Sequence, residues 1–354
     1  CLRALFDTAG PDDSPGVDGL FVNRLVNIRY LTGFSGSNAQ LLLTDGEGAF
    51  LTDTRYEEQS RREVPDLARR IYTGEFVAAF RDPWAEAGSP RVGFEAAGLS
   101  YKTYEELGAI EGIELVSVAD VVDRLRWSKD EEEIAVIEGA QRITDDAFDH
   151  ILGELKEGVT EREVAVELEE FMRRGGAERV AFDTIVAFGE QAAEPHHHPT
   201  DRVLGSGDVV KLDFGCFLHG YHSDMTRTIA FGDPGPELRE VYGLVHRAHL
   251  AGILAVREGA VGGTCDEAAR RVIRKGGFGD RFGHSLGHGV GHEVHEGPYL
   301  RREGDDLLPE GAVVTVEPGV YLPGAGGVRI EDMVVVTSDG CRPLPRSPKE
   351  LLVL

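Results

Sequence analysis

Four carboxylates and one imidazole, Asp213, Asp224, Glu317, Glu331 and His288, fall in three short segments whose residue types suit one piece of chemistry. Asp213 and Asp224 lie eleven positions apart in VVKLDFG…YHSDMTRTIA, with turn-forming residues between them. Glu317 and Glu331 lie in VVTVEPGVYLPGAGGVRIEDMVVV, joined by a turn rich in proline and glycine. Each segment reads as two β-branched strands around a loop, a hairpin that sets its two acids side by side. Gathered round one point, four carboxylates would repel by roughly 4 kcal/mol per pair at ~4 Å and an effective dielectric of ~20. Two divalent cations carry the matching charge, so the segments are read as a two-metal site. Oxygen-rich ligation with one imidazole suits manganese, cobalt or iron better than structural zinc, which favours cysteine and histidine.

The imidazole comes from FGHSLGHGVGHEVHEGP, which also holds His284, His292 and His295. A spacing of four would suit a helical zinc motif. Yet Gly283, Gly287, Gly289 and Gly291 would each cost a helix about 1 kcal/mol relative to alanine, and HEVHE is one residue short of HExxH. An extended or looped path is expected, with glycines allowing close approach to a site. Along strands, residues two apart share a face, which puts Lys211 with Asp213, Thr226 with Asp224, Thr315 with Glu317 and Arg329 with Glu331. Thr226 and Arg329 are read as the neighbours that orient and balance the carboxylates. The run His196, His197, His198 in EPHHHPTD reads either as a surface tract or as a functional loop. Cys216, three residues after Asp213, is read as a small residue in a packed turn rather than a ligand.

Toward the N-terminus, VDGLFVN, AQLLLTD, GAFLTD, ARRIYTG, RVGFEA and IELVSVAD read as strands, and TRYEEQSRREV, YKTYEELGAI and VADVVDRLR as helices. This is an α/β domain without a phosphate-binding glycine fingerprint. Past a boundary near Trp127, Ser128 and Glu131 make a capping box for a helix through IAVIEGAQRITDDAFDHILGEL, and Thr160 caps EREVAVELEEFMRRGG. The order helix, helix, hairpin then recurs, with LREVYGLVHRAHLAGILAV and CDEAARRVIRKGG before the second carboxylate pair. Two related halves, each donating carboxylates, are expected.

At 354 residues and 41% hydrophobic composition the chain is long enough for two ordinary domains. A net charge of −25, from 37 Lys and Arg against 62 acids, argues against nucleic acid or an anionic membrane as partner and fits a cytoplasmic protein. No apolar run is long enough to span a bilayer, and CLRALFDTAGPDDSPG lacks a secretory pattern. Cys1, Cys216, Cys265 and Cys341 have no CxxC spacing, so neither a disulfide framework nor a zinc ribbon is indicated.

These segments resemble the pita-bread metallopeptidases, the group of aminopeptidase P, prolidase, methionine aminopeptidase and the metal-free creatinase. Residues 129–354 resemble the catalytic domain, and NIRYLTGFSGSNAQLLLT with FLTDTRYEEQ resembles the N-terminal domain of the two-domain members. The resemblance implies a mixed α/β fold: an N-terminal creatinase-like domain over residues 1–126 and a pita-bread domain over 127–354 with two pseudo-twofold halves. It sets the ligand pattern on Asp213, Asp224, His288, Glu317 and Glu331 with none missing, whereas creatinase relatives do not keep this set. It also sets further active-site histidines on His196, His284 and His295. His292 departs from a common leucine and Phe188 from a frequent serine, which bears on the pocket lining alone.

The same resemblance implies an activity. Two ions, manganese first and cobalt, zinc or iron as alternatives, would activate water against a scissile carbonyl. Glu317 would be ligand and proton shuttle, His284 and His295 would contact the developing oxyanion, and His196 would hold the residue after the cut bond. The expected substrates are peptides with proline at the second position, cleaved by a homodimeric Xaa-Pro aminopeptidase assembled through its N-terminal domain. A strict Xaa-Pro dipeptidase is the alternative, and a non-catalytic scaffold of the same fold a more distant one. Several dipeptidases of the group place an arginine where this chain has Tyr299, which cannot replace that charge on a substrate carboxylate.

Overall fold

The protein is described by a computed structural model that covers residues 16–44, 48–87 and 91–354, with side chains to Arg81 in the helix Phe76–Ala87. Cys1 and most of the segment inspected for a secretory pattern lie outside the described residues. Two compact units part between Arg126 and Trp127.

In the first unit, alternation of apolar residues builds a six-stranded mixed sheet. Its order is Ala68–Tyr72, Gly48–Asp53, Gln40–Thr44, Gly19–Val22, Arg91–Glu95, Glu114–Val118. Successive side chains leave a strand on opposite faces, so Leu20, Val22, Leu41 and Leu43 pack into one core while Phe21, Leu42 and Val92 pack into another. Two helices go beyond those expected from periodicity. Leu25–Thr32 has no side-chain N-cap and is closed by Gly33 in the left-handed region at φ 75°. Its buried Asn27 bonds to Glu95 and accepts from Arg126 at 2.9 Å, contacts that no local pattern announces. Phe76–Ala87 carries Pro83 in its sequence, which argues against a helix on propensity.

The second unit repeats one arrangement. The helices Glu131–Leu152 and Glu161–Arg174 pack through Phe148, Ile151, Val164 and Leu168 onto Val186, Leu212 and Phe214 of the sheet Ile185–Phe188, Asp208–Phe214, Met225–Phe231. The helices Gly235–Ala255 and Gly262–Lys275 pack through Val245, Ala269 and Ile273 onto Val314, Val316 and Val334 of a five-stranded sheet. In that sheet Val313–Val316 lies between Gly287–Gly289 and Asp332–Thr337.

The capping box of the first helix is Asp130 with Glu133, not Ser128 with Glu131. Ser128 is already committed: its hydroxyl donates to Glu310 O at 2.6 Å and its backbone bridges to Ala312, so the chain turns helical two residues later. Thr160 and Glu163 form the second box.

The two carboxylate hairpins are fastened to each other. Glu331 N donates to Thr226 O at 3.1 Å, and Arg329 N and O both bond to the Thr228 hydroxyl. On the other face the buried Arg227 donates to Glu331 O and Ser347 O and pairs with Asp332 at 2.8 Å. Asp130→Ala is expected to lower unfolding free energy by about 1 kcal/mol, the worth of a helix N-cap, whereas Glu131→Ala should change it by a few tenths at most. Urea unfolding of the two variants checks this, and the reverse ranking would restore Ser128 as the cap.

Candidate metal centre

Asp213 ends a strand pair in which its direct partner is Thr226, so Asp224, two residues before Thr226, sits diagonally across from it. In the other half Val316 pairs with Asp332, which places Glu317 and Glu331 opposite each other just past the paired strands. His288 comes in from Gly287–Gly289, an extended segment. A Cβ on Gly287 would lie 1.9 Å from Thr315 O, and one on Gly289 would lie 2.2 Å from Gly297 O. Glycine on both sides of His288 is what lets the backbone press between its neighbouring strands.

All five residues line one cavity of about 370 Å³, together with His196, His284, His295 and Arg329. Asp224, His288 and Glu331 bring ligand atoms within 4.8 Å of one another. Glu317 Oε1 lies 3.3 Å from His288 Nε2, and Asp224 Oδ2 lies 3.8 Å from it. Thr315 holds both sides of that contact, donating to Glu317 at 3.1 Å and accepting from His288 N at 3.1 Å. Thr226 donates to Glu331 Oε2 at 2.7 Å, reaching across to the other hairpin rather than to Asp224 on its own strand. Arg329 donates to one oxygen of Asp213, to Thr226 at 3.0 Å, to Tyr321 OH at 2.8 Å and to Pro195 O at 3.2 Å.

The electrostatics are those of a site with too much negative charge for its protein cations. Burial, then the charges of Glu331, Asp213 and Glu317, push Asp224 well above the usual carboxylate range. Burial and the charges of Glu317 and Asp213 do the same to Glu331. Glu317 departs the other way: burial pushes it up, but the hydrogen bond and charge of His288 outweigh this and bring it to about 2. His288 is raised in turn, against its burial, by Glu317. Asp213 keeps one buried oxygen, Oδ1, without a hydrogen-bond partner. An orphaned carboxylate oxygen, two acids forced toward neutrality and a set of hard oxygen donors with one imidazole fit divalent cations.

His284 and His295 are both pulled below the ordinary histidine value, first by burial, so each is a neutral ring near pH 7. His284 Nε2 sits 2.8 Å from Tyr321 OH, and His295 packs edge-on to His288 with ring centres 4.3 Å apart. The backbone at His284 is gripped from the helix Gly262–Lys275. Arg270, paired with Asp266 through two 2.7 Å bonds, donates to Phe282 O and His284 O, while Asp266 accepts from Leu286 N.

Sequence reasoning passed over Tyr321, which links Arg329 to His284; the available signal was its place two and four residues past Gly319 and Glu317 on one strand face. Lys211 does not touch Asp213. It donates to Ala192 O at 3.1 Å and to Glu194 O, and burial followed by the charge of Arg329 drives it down to about 6. Phe188 is fully buried in the core, and His292 bonds to Gly220 O and stacks on Tyr221, so neither is among the residues lining this cavity. Cys216 is buried in a strand, its thiol directed to Ala140 O. Tyr299 is also outside the lining set; its amide bonds to Asp306 and Arg301 lies over its ring.

Comparison with known proteins agrees with this geometry. Residues 135–338 match the model of metallopeptidase family M24, and residues 13–127 match the creatinase/prolidase N-terminal domain. An uncharacterised peptidase of Bacillus subtilis is 44% identical over 96% of each chain. The solved structure of an Xaa-Pro dipeptidase from Bacillus anthracis superposes with a TM-score of 0.95 at 40% identity, covering 100% of this chain and 98% of that one. An X-Pro aminopeptidase structure from Thermotoga maritima gives a TM-score of 0.89 at 36% identity over 96% of this chain and 98% of that one. The chain belongs to metallopeptidase family M24.

Cation binding must displace the protons that Asp224, Glu331 and His288 hold to higher pH than the free side chains do. Apparent affinity for manganese should therefore rise with pH, with protons released on binding. Calorimetry in two buffers of different ionisation enthalpy measures the protons directly. Unchanged affinity between about pH 5.5 and 7.5 would contradict this charge assignment.

Proposed function

We propose that this chain is a metal-dependent exopeptidase that hydrolyses the bond between an N-terminal residue and proline. The observation that carries the reading is the convergence of five ligand-type side chains, their charge unbalanced, on a cavity walled by His196, His284 and His295. Asp213, Asp224, His288, Glu317 and Glu331 would hold two divalent ions, manganese first. Ions bound there would supply Lewis acidity toward the scissile carbonyl and a nucleophile at neutral pH.

The chain's own residues do the rest. Glu317, ionised at about 2, is positioned by Thr315 to take the proton of the attacking water on a carboxylate oxygen and pass it to the leaving nitrogen. His284 and His295, neutral near pH 7, offer donors to the oxygen on which charge develops. Arg329 holds Asp213 in place and keeps its charge beside it. The bond before proline is a tertiary amide with no N–H of its own, so recognition rests on the carbonyl and on the residue beyond, which His196 faces.

Within this reading the chain is an aminopeptidase acting on Xaa-Pro-Yaa and longer peptides. Support comes from Arg329, a guanidinium lining the cavity, being committed to Asp213, Thr226, Tyr321 and Pro195. The name of the Bacillus anthracis relative supports the second reading, an Xaa-Pro dipeptidase. A cytoplasmic homodimer completes the proposal, resting on the net charge of −25 and on resemblance.

Stripping metal should abolish activity and manganese or cobalt should restore it, with Asp213→Asn and Glu331→Gln losing metal and rate together. Full activity of the stripped enzyme would end the hydrolytic mechanism. The ratio of kcat/KM for Ala-Pro-Ala to that for Ala-Pro should be one or greater, and Tyr299→Arg should lower it. Cleavage confined to Ala-Pro would establish the dipeptidase reading instead.

A further inference from the structure

The run His196, His197, His198 is a single loop with two exposed residues around a buried one: His197 is 5% exposed, while its neighbours are open at the cavity wall. In this turn-led segment the middle side chain is buried while those on either side stay exposed. His197 is pinned at both ring nitrogens. Nε2 lies 2.9 Å from Glu161 Oε2 and Nδ1 lies 2.7 Å from Glu194 Oε2. Both contacts are to carboxylate oxygens, one buried and one largely exposed.

Glu161 is built for this. Its side chain is 0% exposed and it opens the helix Glu161–Arg174, where free backbone N–H groups favour a negative charge. Besides His197 it accepts from Phe188 N at 2.8 Å and from Thr200 N and Oγ1 at 2.9 and 2.7 Å. One carboxylate therefore ties together the end of the strand Ile185–Phe188, the middle histidine and the far end of the loop.

We propose that Glu161 and His197 are a positioning pair that presents His196 to substrate. The pair adds no group to the chemistry; it acts through the ring next door. The inference rests on the proposed peptidase activity, with His196 facing substrate.

The test is a double-mutant cycle on metal-loaded, folded protein. His197→Gln, which retains a single donor group, should lower kcat/KM for Ala-Pro-Ala by about ten- to a hundredfold, the scale of a misplaced active-site group. Metal content should stay unchanged. In a His196→Ala background the same substitution should change the rate by less than about twofold, since coupled residues are not additive. A merely structural role would lower stability and leave the two effects multiplying independently, which would overturn the inference. An inert His196→Ala would overturn it too.

If His197→Gln does not load metal, Glu194→Ala removes the outer, largely exposed acceptor and should show the same non-additivity at about threefold. Additive effects there would again refute the pairing. Should the unsubstituted chain cleave no Xaa-Pro peptide, the function reading fails separately, and hydrogen exchange still decides the anchor. The Thr200 amide, which shares Glu161 Oε2 with His197, should lose protection in His197→Gln, and unchanged protection there would overturn the pair.

Discussion

Four carboxylates around one cavity, three of them buried, set the terms for the rest of the second unit. Like charges at this spacing push their hairpins apart, and the protein supplies few cations against them. Arg329 is spent on Asp213, while His288 is drawn up by Glu317, the nearer of the two acids within 4.0 Å of its ring. Lys211 is so depressed by burial and by Arg329 that its main contribution is hydrogen bonding to the 192–194 backbone. The scaffold must therefore resist a force that only protonation of the acids or divalent cations would relieve. It does so by joining the hairpins to each other: Thr226 and Arg329 on the cavity face, Arg227 and Asp332 on the opposite face. A buried pair such as Arg227 with Asp332 adds little over an apolar pair, but removing one partner strands a charge at a cost of about 3–5 kcal/mol. Its use here is register. It holds the strand of Thr226 beside that of Glu331.

The two helix pairs then do more than cover sheets. In each half an acid near the start of the second helix reaches the segment that carries a cavity-lining histidine. Glu161 takes the amide of Phe188 and the ring of His197, and Asp266 takes the amide of Leu286 and, through Arg270, the carbonyl of His284. Both acids are buried. Segments that would otherwise be ordinary loops acquire the rigidity of helix starts, which suits a site whose groups must stay within fractions of an ångström.

What could be read from the sequence was what depends on period and composition. Alternation marked the strands, the glycines around His288 excluded a helix, and the two-residue period put Thr226 and Arg329 on the carboxylate face, where they hydrogen-bond. What could not be read depends on partners far along the chain. Ser128 looked like a cap until Glu310, 182 residues away, claimed its hydroxyl. Asn27 anchors an unheralded helix to Glu95 and Arg126. The triple histidine stayed open between surface tract and functional loop because the acid that holds its middle member lies 36 residues upstream, on another helix. His292 and Phe188 were weighed as pocket residues by position in a motif, yet side-chain direction sends one to Gly220 and the other into the core.

The burial of the histidines bears on the proposed chemistry in a way the carboxylates cannot. Acceptors are abundant in this cavity, and cations would occupy them. Donors are scarce, because Arg329 is committed and a proline-bounded peptide bond brings no N–H. A charged imidazolium would add a donor but would also be drawn to the nearest carboxylate, as His288 is to Glu317. Lowering His284 and His295 by burial avoids that capture. Each keeps one N–H that does not titrate away near neutral pH, and Tyr321, receiving Arg329 and meeting His284 Nε2, leaves Nδ1 of that ring as the donor, 2.8 Å from Ser285 O and 4.0 Å from Glu317 Oε2. The ring is thus aimed between backbone and shuttle, close enough to turn its donor toward a charge forming beside Glu317.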